Sequence, residues 1–147
     1  MPLPRTALLL LLGTLAALWA PRQAEAAGGA IRFTVTVLEV SGNPGKVDPR
    51  AARLHALLKA KIRYESLKVL AVTRVSLKVD DIGQVRLPTG KSFRFRPIDA
   101  GPSGVLVAVD MQGTAQGDFR IPRGKPLILG GPSYKEGQLV VVLEAPA

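Results

Sequence analysis

Residues 66–79 alternate without interruption. Leu67, Val69, Ala71, Thr73, Val75, Leu77 and Val79 fall on one side, and Lys68, Leu70, Val72, Arg74, Ser76 and Lys78 on the other. A period of two in β-branched residues is the signature of a strand. A strand usually runs about five or six residues, so one this long must lie centrally, bend, or serve two partners. Its second face is charged at the ends and apolar in the middle.

A helix is expected directly before it, over about 48–63. Asp48 can accept hydrogen bonds from the free amides of a first helical turn. Pro49 fits the first helical position, where no amide donor is required. On a helical wheel Ala51, Leu54, Leu58 and Ile62 fall within an arc of about 80°, a stripe suited to packing on a sheet. Arg50, Arg53, Lys59, Lys61 and Arg63 scatter around the rest of the wheel and form no single basic face.

The remainder reads as strands joined by tight turns. Ile31, Phe33, Val35 and Val37 alternate with Arg32, Thr34 and Thr36 in a first strand over 31–40. Residues 84–87 and 91–96 form a hairpin around Pro88-Thr89-Gly90, and residues 97–104 are expected as a loop. Val105, Val107, Val109 and Met111 mark a further strand, and residues 118–121 bring the chain back. Leu127-Ile128-Leu129 is a short strand ended by Gly130-Gly131-Pro132, read as a bulge or tight connection. Residues 139–144 are apolar on both faces, which suits a covered position. No crossover after residue 66 is long enough to join parallel strands. The expected fold is therefore β-rich α+β: a mainly antiparallel sandwich or open barrel of seven or eight strands with one helix packed on it.

The first 26 residues read differently. Arg5 is followed by the apolar run 7–19 and then by Ala24-Glu25-Ala26, the order of features in a secretory signal peptide. The apolar run falls short of the roughly 20 residues that a membrane-spanning helix needs. Cleavage near Ala26 would leave one β-rich domain over 27–147, secreted or periplasmic, with no transmembrane segment. The sequence contains no cysteine, which removes disulfides, thiolate chemistry and a lipid-modified cysteine. Cleavage would remove two cations and one anion, taking the net charge from +9 to +8.

That charge favours an anionic partner. Arg32, Lys68, Arg74, Lys78, Arg94 and Arg96 all occupy polar-face positions of expected strands, and neighbouring strands would make them one basic plate. Sheets that bind nucleic acid add stacking aromatics to the basic face. Here Phe93 and Phe95 fall opposite the arginines, and the export signal points away from a genome, so no nucleic-acid partner is expected.

Nothing in the sequence assembles into catalytic chemistry. His55 is the single histidine, at the edge of the helix's apolar stripe, with no nucleophile or carboxylate placed beside it by sequence. Asp80-Asp81 is a lone acidic pair at a strand end, and no metal or cofactor site is expected. Gly124-Lys125 and Gly130-Gly131 lack the spacing and the following helix of a phosphate loop. Ser103 and Ser133 sit in turns without an elbow motif.

Arg-Gly-Lys-Pro-Leu-Ile-Leu-Gly-Gly-Pro, followed by Gly-Gln-Leu-Val-Val-Val-Leu, resembles the strand–Gly-Gly–strand segments of bacterial secretin pores. The likeness covers about twenty residues and implies no residue role. The expectation is an exported, non-enzymatic domain that serves as an interaction or assembly module of the bacterial cell envelope. The alternative is a binder of anionic polysaccharide or lipid through a basic sheet face, with a small hydrolase as a third option.

Overall fold

Eight strands form two four-stranded antiparallel sheets, packed as a sandwich. They are β1 (Ile31–Ser41), β2 (Ser66–Leu77), β3 (Gly83–Arg86), β4 (Ser92–Gly101), β5 (Gly104–Met111), β6 (Ala115–Pro122), β7 (Leu127–Tyr134) and β8 (Gly137–Glu144). This is a computed structural model that describes residues 29–145, and the expected leader over 1–26 lies outside them. From Ile31 onward the chain is one compact unit. One sheet has the order β2-β1-β8-β7 and carries the helix, so it is called the helix-side sheet. The other, β3-β4-β5-β6, is a simple meander.

The core between the sheets follows from alternation. Phe33, Val35 and Val37 of β1 and Leu139, Val141 and Leu143 of β8 meet Phe93, Phe95, Val107, Val109 and Met111 of the meander sheet. Phe33 and Phe95 pack edge to face with ring centroids 5.2 Å apart, the arrangement aromatic quadrupoles prefer. The other face of β1 and β8 builds a second, smaller core. Leu38, Val40, Val140 and Val142 pack there with Leu67 and Val69 of β2, with Leu54 and Leu58 of the helix and with Ala51 just before it. The apolar residues of β8 are thus all buried because both of its faces are covered.

The helix opens as expected and closes early. Asp48 accepts from the Arg50 amide at 3.0 Å, and Pro49 begins a single 3₁₀ turn, Pro49–Ala51. The helix α1 then spans only Ala52–Leu58. The sequence placed its end near residue 63. Leu54 and Leu58 already complete the buried stripe, and after the Lys59 amide bonds the His55 carbonyl only one further turn follows, in which the Leu58 carbonyl accepts from the Lys61 and Ile62 amides. Ile62 and Tyr64 still pack against the smaller core, but from the connecting segment.

Of the three options for the long strand the structure takes the bend, and β2 lies at a sheet edge. Its register against β1 shifts between Val37 and Leu38: Val37 pairs with Ala71 and Leu38 with Val69, leaving Leu70 as a bulged residue. The bulge bends the strand and swaps its faces. Leu67 and Val69 therefore join the helix-side core, while Leu70, Val75 and Leu77 face the inter-sheet core.

Residues 97–104 do not loop out: β4 continues to Gly101, with a register shift between Pro97 and Asp99. The Pro97 carbonyl accepts from the Asp80 amide, away from β5. Its missing N–H therefore lies on a side where β3 has already ended, a place in a sheet that tolerates proline. Likewise Gly130-Gly131-Pro132 does not end its strand but forms the register shift inside β7.

Candidate functional site

The outer face of the helix-side sheet is covered at one end only. There the helix lies over the small core. The segment entering the helix also closes the start of the β2 edge: Leu67 donates to the Lys46 carbonyl at 3.1 Å and accepts from the Asp48 amide at 2.9 Å. The Val69 amide donates to Asp48 Oδ2 at 3.3 Å, and Arg50 Nη2 donates to the Val69 carbonyl at 3.3 Å. Asp48 is thus cap, ion-pair partner and edge cover at once. Its hydrogen bonds from the Arg50 side chain and backbone hold its carboxyl well below the usual carboxylate range.

Past Leu70 the cover stops. Arg32, Thr34 and Thr36 of β1 share the outer face with Val72, Arg74 and Ser76 of β2. Arg32 and Arg74 border a hollow of about 610 Å³ together with Thr34, Ser76 and Glu144. A second hollow of about 300 Å³ continues it toward the helix, between Thr36, Val72, Arg53 and Leu54. Glu144 lines both and is held by Arg53 at 2.6 Å. With Arg50 bound to Asp48 at 2.9 Å, Arg32 and Arg74 are the guanidinium groups here without a side-chain anion among the described residues. Val72 is 55% exposed, an apolar side chain standing in the open.

The six basic residues of the expected plate lie on separate surfaces. Arg32 and Arg74 are brought together as diagonal neighbours. Lys68 is paired with Glu39, whose neighbour Val37 faces the inter-sheet core, so the bulge sends Lys68 to the side opposite Arg74. Lys78 falls just after β2 in the turn between the sheets, where its amide donates to Asp81 Oδ2 at 3.0 Å. Arg94 and Arg96 lie on the outer face of the meander sheet, bordering a cleft of about 360 Å³ with Ile82, Asp110 and Asp118. Arg96 is bound to Asp80 at 2.9 Å. A single basic plate is therefore not formed, because the strands that carry these cations belong to two sheets facing away from each other.

His55 Nδ1 lies 2.6 Å from the Tyr64 hydroxyl, and burial raises the Tyr64 hydroxyl above its ordinary value. This pair ties the end of the helix to the segment that leaves it. Among the described residues no cluster of three His, Asp or Glu could hold a metal ion, and no helix is long and apolar enough to cross a membrane.

Sequence reasoning missed the importance of Val72, Thr34 and Arg53 at this site. The exposed valine in the middle of an otherwise charged face was the signal that could have found it. The chain matches no protein-family profile, no curated protein sequence and no solved structure.

Proposed function

We propose that this chain is an exported, non-enzymatic binding domain serving as a protein-interaction or assembly module of the bacterial cell envelope. Its working surface is the open end of the helix-side sheet together with the adjoining edge of β2. One observation carries this reading: the helix and residues 46–48 close one end of that face, while the other end keeps Arg32, Val72 and Arg74 in the open. An exposed apolar side chain between cations and hydroxyls suits a protein surface.

The alternative reading is binding of an anionic polysaccharide or lipid. A long polyanion gains most from many cations on one continuous surface. The division of the six basic residues over separate surfaces favours a partner that touches a small area instead.

The test places a photo-crosslinking residue at position 72 in living cells, with position 120 on the outer face of the meander sheet as control. Sequencing the mature N-terminus establishes export in the same experiment. A discrete protein adduct from 72 and none from 120 supports the reading. An unprocessed chain, or equal adducts at both positions, rejects it. Retention on heparin or lipopolysaccharide that falls steeply with salt would favour the polyanion reading.

A further inference from the structure

We infer that the β2 edge over residues 72–76 is a strand-addition site for an extended acidic segment of a partner protein. This deepens the module reading and rests on it.

The direction of the backbone groups follows from bonds already described. The Ser41 carbonyl accepts from the Glu65 amide, so the odd-numbered residues of β1 turn their backbone groups toward β2. In an antiparallel ladder successive residues alternate in this respect. The pairs Thr36–Val72, Thr34–Arg74 and Arg32–Ser76 are therefore the ones that exchange no backbone bonds. Val72, Arg74 and Ser76 point their N–H and C=O groups away from the sheet. Among the described residues none of these groups has a hydrogen-bond partner. Together they form the row of donors and acceptors that an added strand uses.

The first part of the same edge is already covered. Residues 46–48 take up the outward groups of Leu67 in a parallel bridge, Val47 with Leu67. They leave the edge at Val69, where the chain turns into the helix.

Side chains specify the occupant. An antiparallel strand added here would set residues opposite Val72 and Arg74 on the outer face, two positions apart, with their own amides turned toward β2. An apolar residue suits the first and a carboxylate the second, since cross-strand neighbours of opposite charge attract and like charges repel. Arg32, the other guanidinium without a side-chain anion, stands on the same face one strand further in. A second copy of this chain is a poor occupant. The two-fold pairing that uses all three sets of groups places Arg74 directly against Arg74. Charge thus favours an acidic partner over self-association.

A peptide of two Val-Thr-Glu-Thr repeats is the probe, because it presents valine and glutamate on one face with the required spacing. It is added to 15N-labelled protein as the cell produces it. The expected result is that the amide signals of Val72, Arg74 and Ser76 shift and gain exchange protection. N-methylation of the peptide's valine and glutamate amides should abolish the effect, while methylation of its threonine amides should not. Arg74→Glu should weaken binding about tenfold, the swing from an attractive to a repulsive cross-strand pair.

No shift at millimolar peptide, equal binding of both methylated peptides, or equal binding of a Val-Thr-Lys-Thr peptide overturns the proposal. An adduct from position 72 in cells alongside failure of the methylation test keeps the module reading and ends strand addition. In-phase peptide binding without a cellular adduct upholds strand addition and ends the envelope role.

Discussion

The helix-side sheet has two edges, and they are finished in opposite ways. β7 carries glycine, glycine and proline within the strand, and its register shifts there. A bulge twists the edge aside, one of the devices by which sheets avoid unwanted pairing. β2 is longer, and its bulge at Leu70 lies where its own chain stops covering it. Beyond that point Arg74 is the one charged side chain along the strand. A lone arginine guards an edge against a second copy of the same chain and not against a partner of opposite charge. One edge is interrupted by a bulge within its strand, and the other runs unbroken beyond its own bulge.

The largest way to disturb this contrast is through the helix. Leu58 is fully buried in the smaller core, so Leu58→Ala should cost about 2–5 kcal/mol in urea unfolding. It should also speed exchange of the Val69 amide relative to amides of β7, because the segment that covers Val69 leads into that helix.

Proline scanning tests the phase of the open edge directly. Val75→Pro removes a ladder donor to β1 and should cost about 1–3 kcal/mol in thermal or chemical unfolding. Arg74→Pro, one residue away, should cost less than about 0.5 kcal/mol, because that amide faces solvent. Equal costs, or a larger cost for Arg74→Pro, would remove the basis for strand addition.

Gly131→Ala probes the β7 edge. A Cβ there would lie 2.9 Å from the Leu139 carbonyl oxygen, so β7 must shift against β8. A loss of about 1–2 kcal/mol in chemical unfolding is expected, and a larger loss would mean that the bulge also holds the hairpin in register.

The smallest effect is set by pH. The carboxyl of Asp48 is held below its unfolded value of about 4, so its contribution is complete above that pH. It is lost as pH falls toward the folded value. Exchange of the Val69 amide, corrected for intrinsic rates, should therefore rise on acidification in the wild type and stay flat in Asp48→Asn.

Much of this architecture can be read from residue patterns. The alternation of β1 and β5, the doubly apolar β8, the Asp48-Pro49 start of the helix and the absence of crossovers lead to an antiparallel sandwich or open barrel, and the structure takes the sandwich. The candidate site is less legible, for one physical reason. Counting odd and even positions assumes unbroken pairing, and the bulge at Leu70 is created by the partner strand. Lys68 and Arg74 share parity in the sequence and lie on opposite faces in the fold. The same limit hides the edge position of β2, since an alternating strand has the same pattern whether or not a neighbour covers its far side. Pro97 was misread for the converse reason: its tolerance within β4 depends on where β3 ends.

The pairing of β1 with β8 has a kinetic side. Thr34 sits opposite Glu144, so the middle of the helix-side sheet joins two stretches from distant parts of the sequence. Such distant pairings slow folding, because a long loop must close before any bond is gained. Until β8 arrives, β1 has only β2 beside it, and both cores lack the residues that β8 supplies. The meander sheet can assemble locally in the meantime. The helix-side sheet and both cores should therefore close only once β8 is in place.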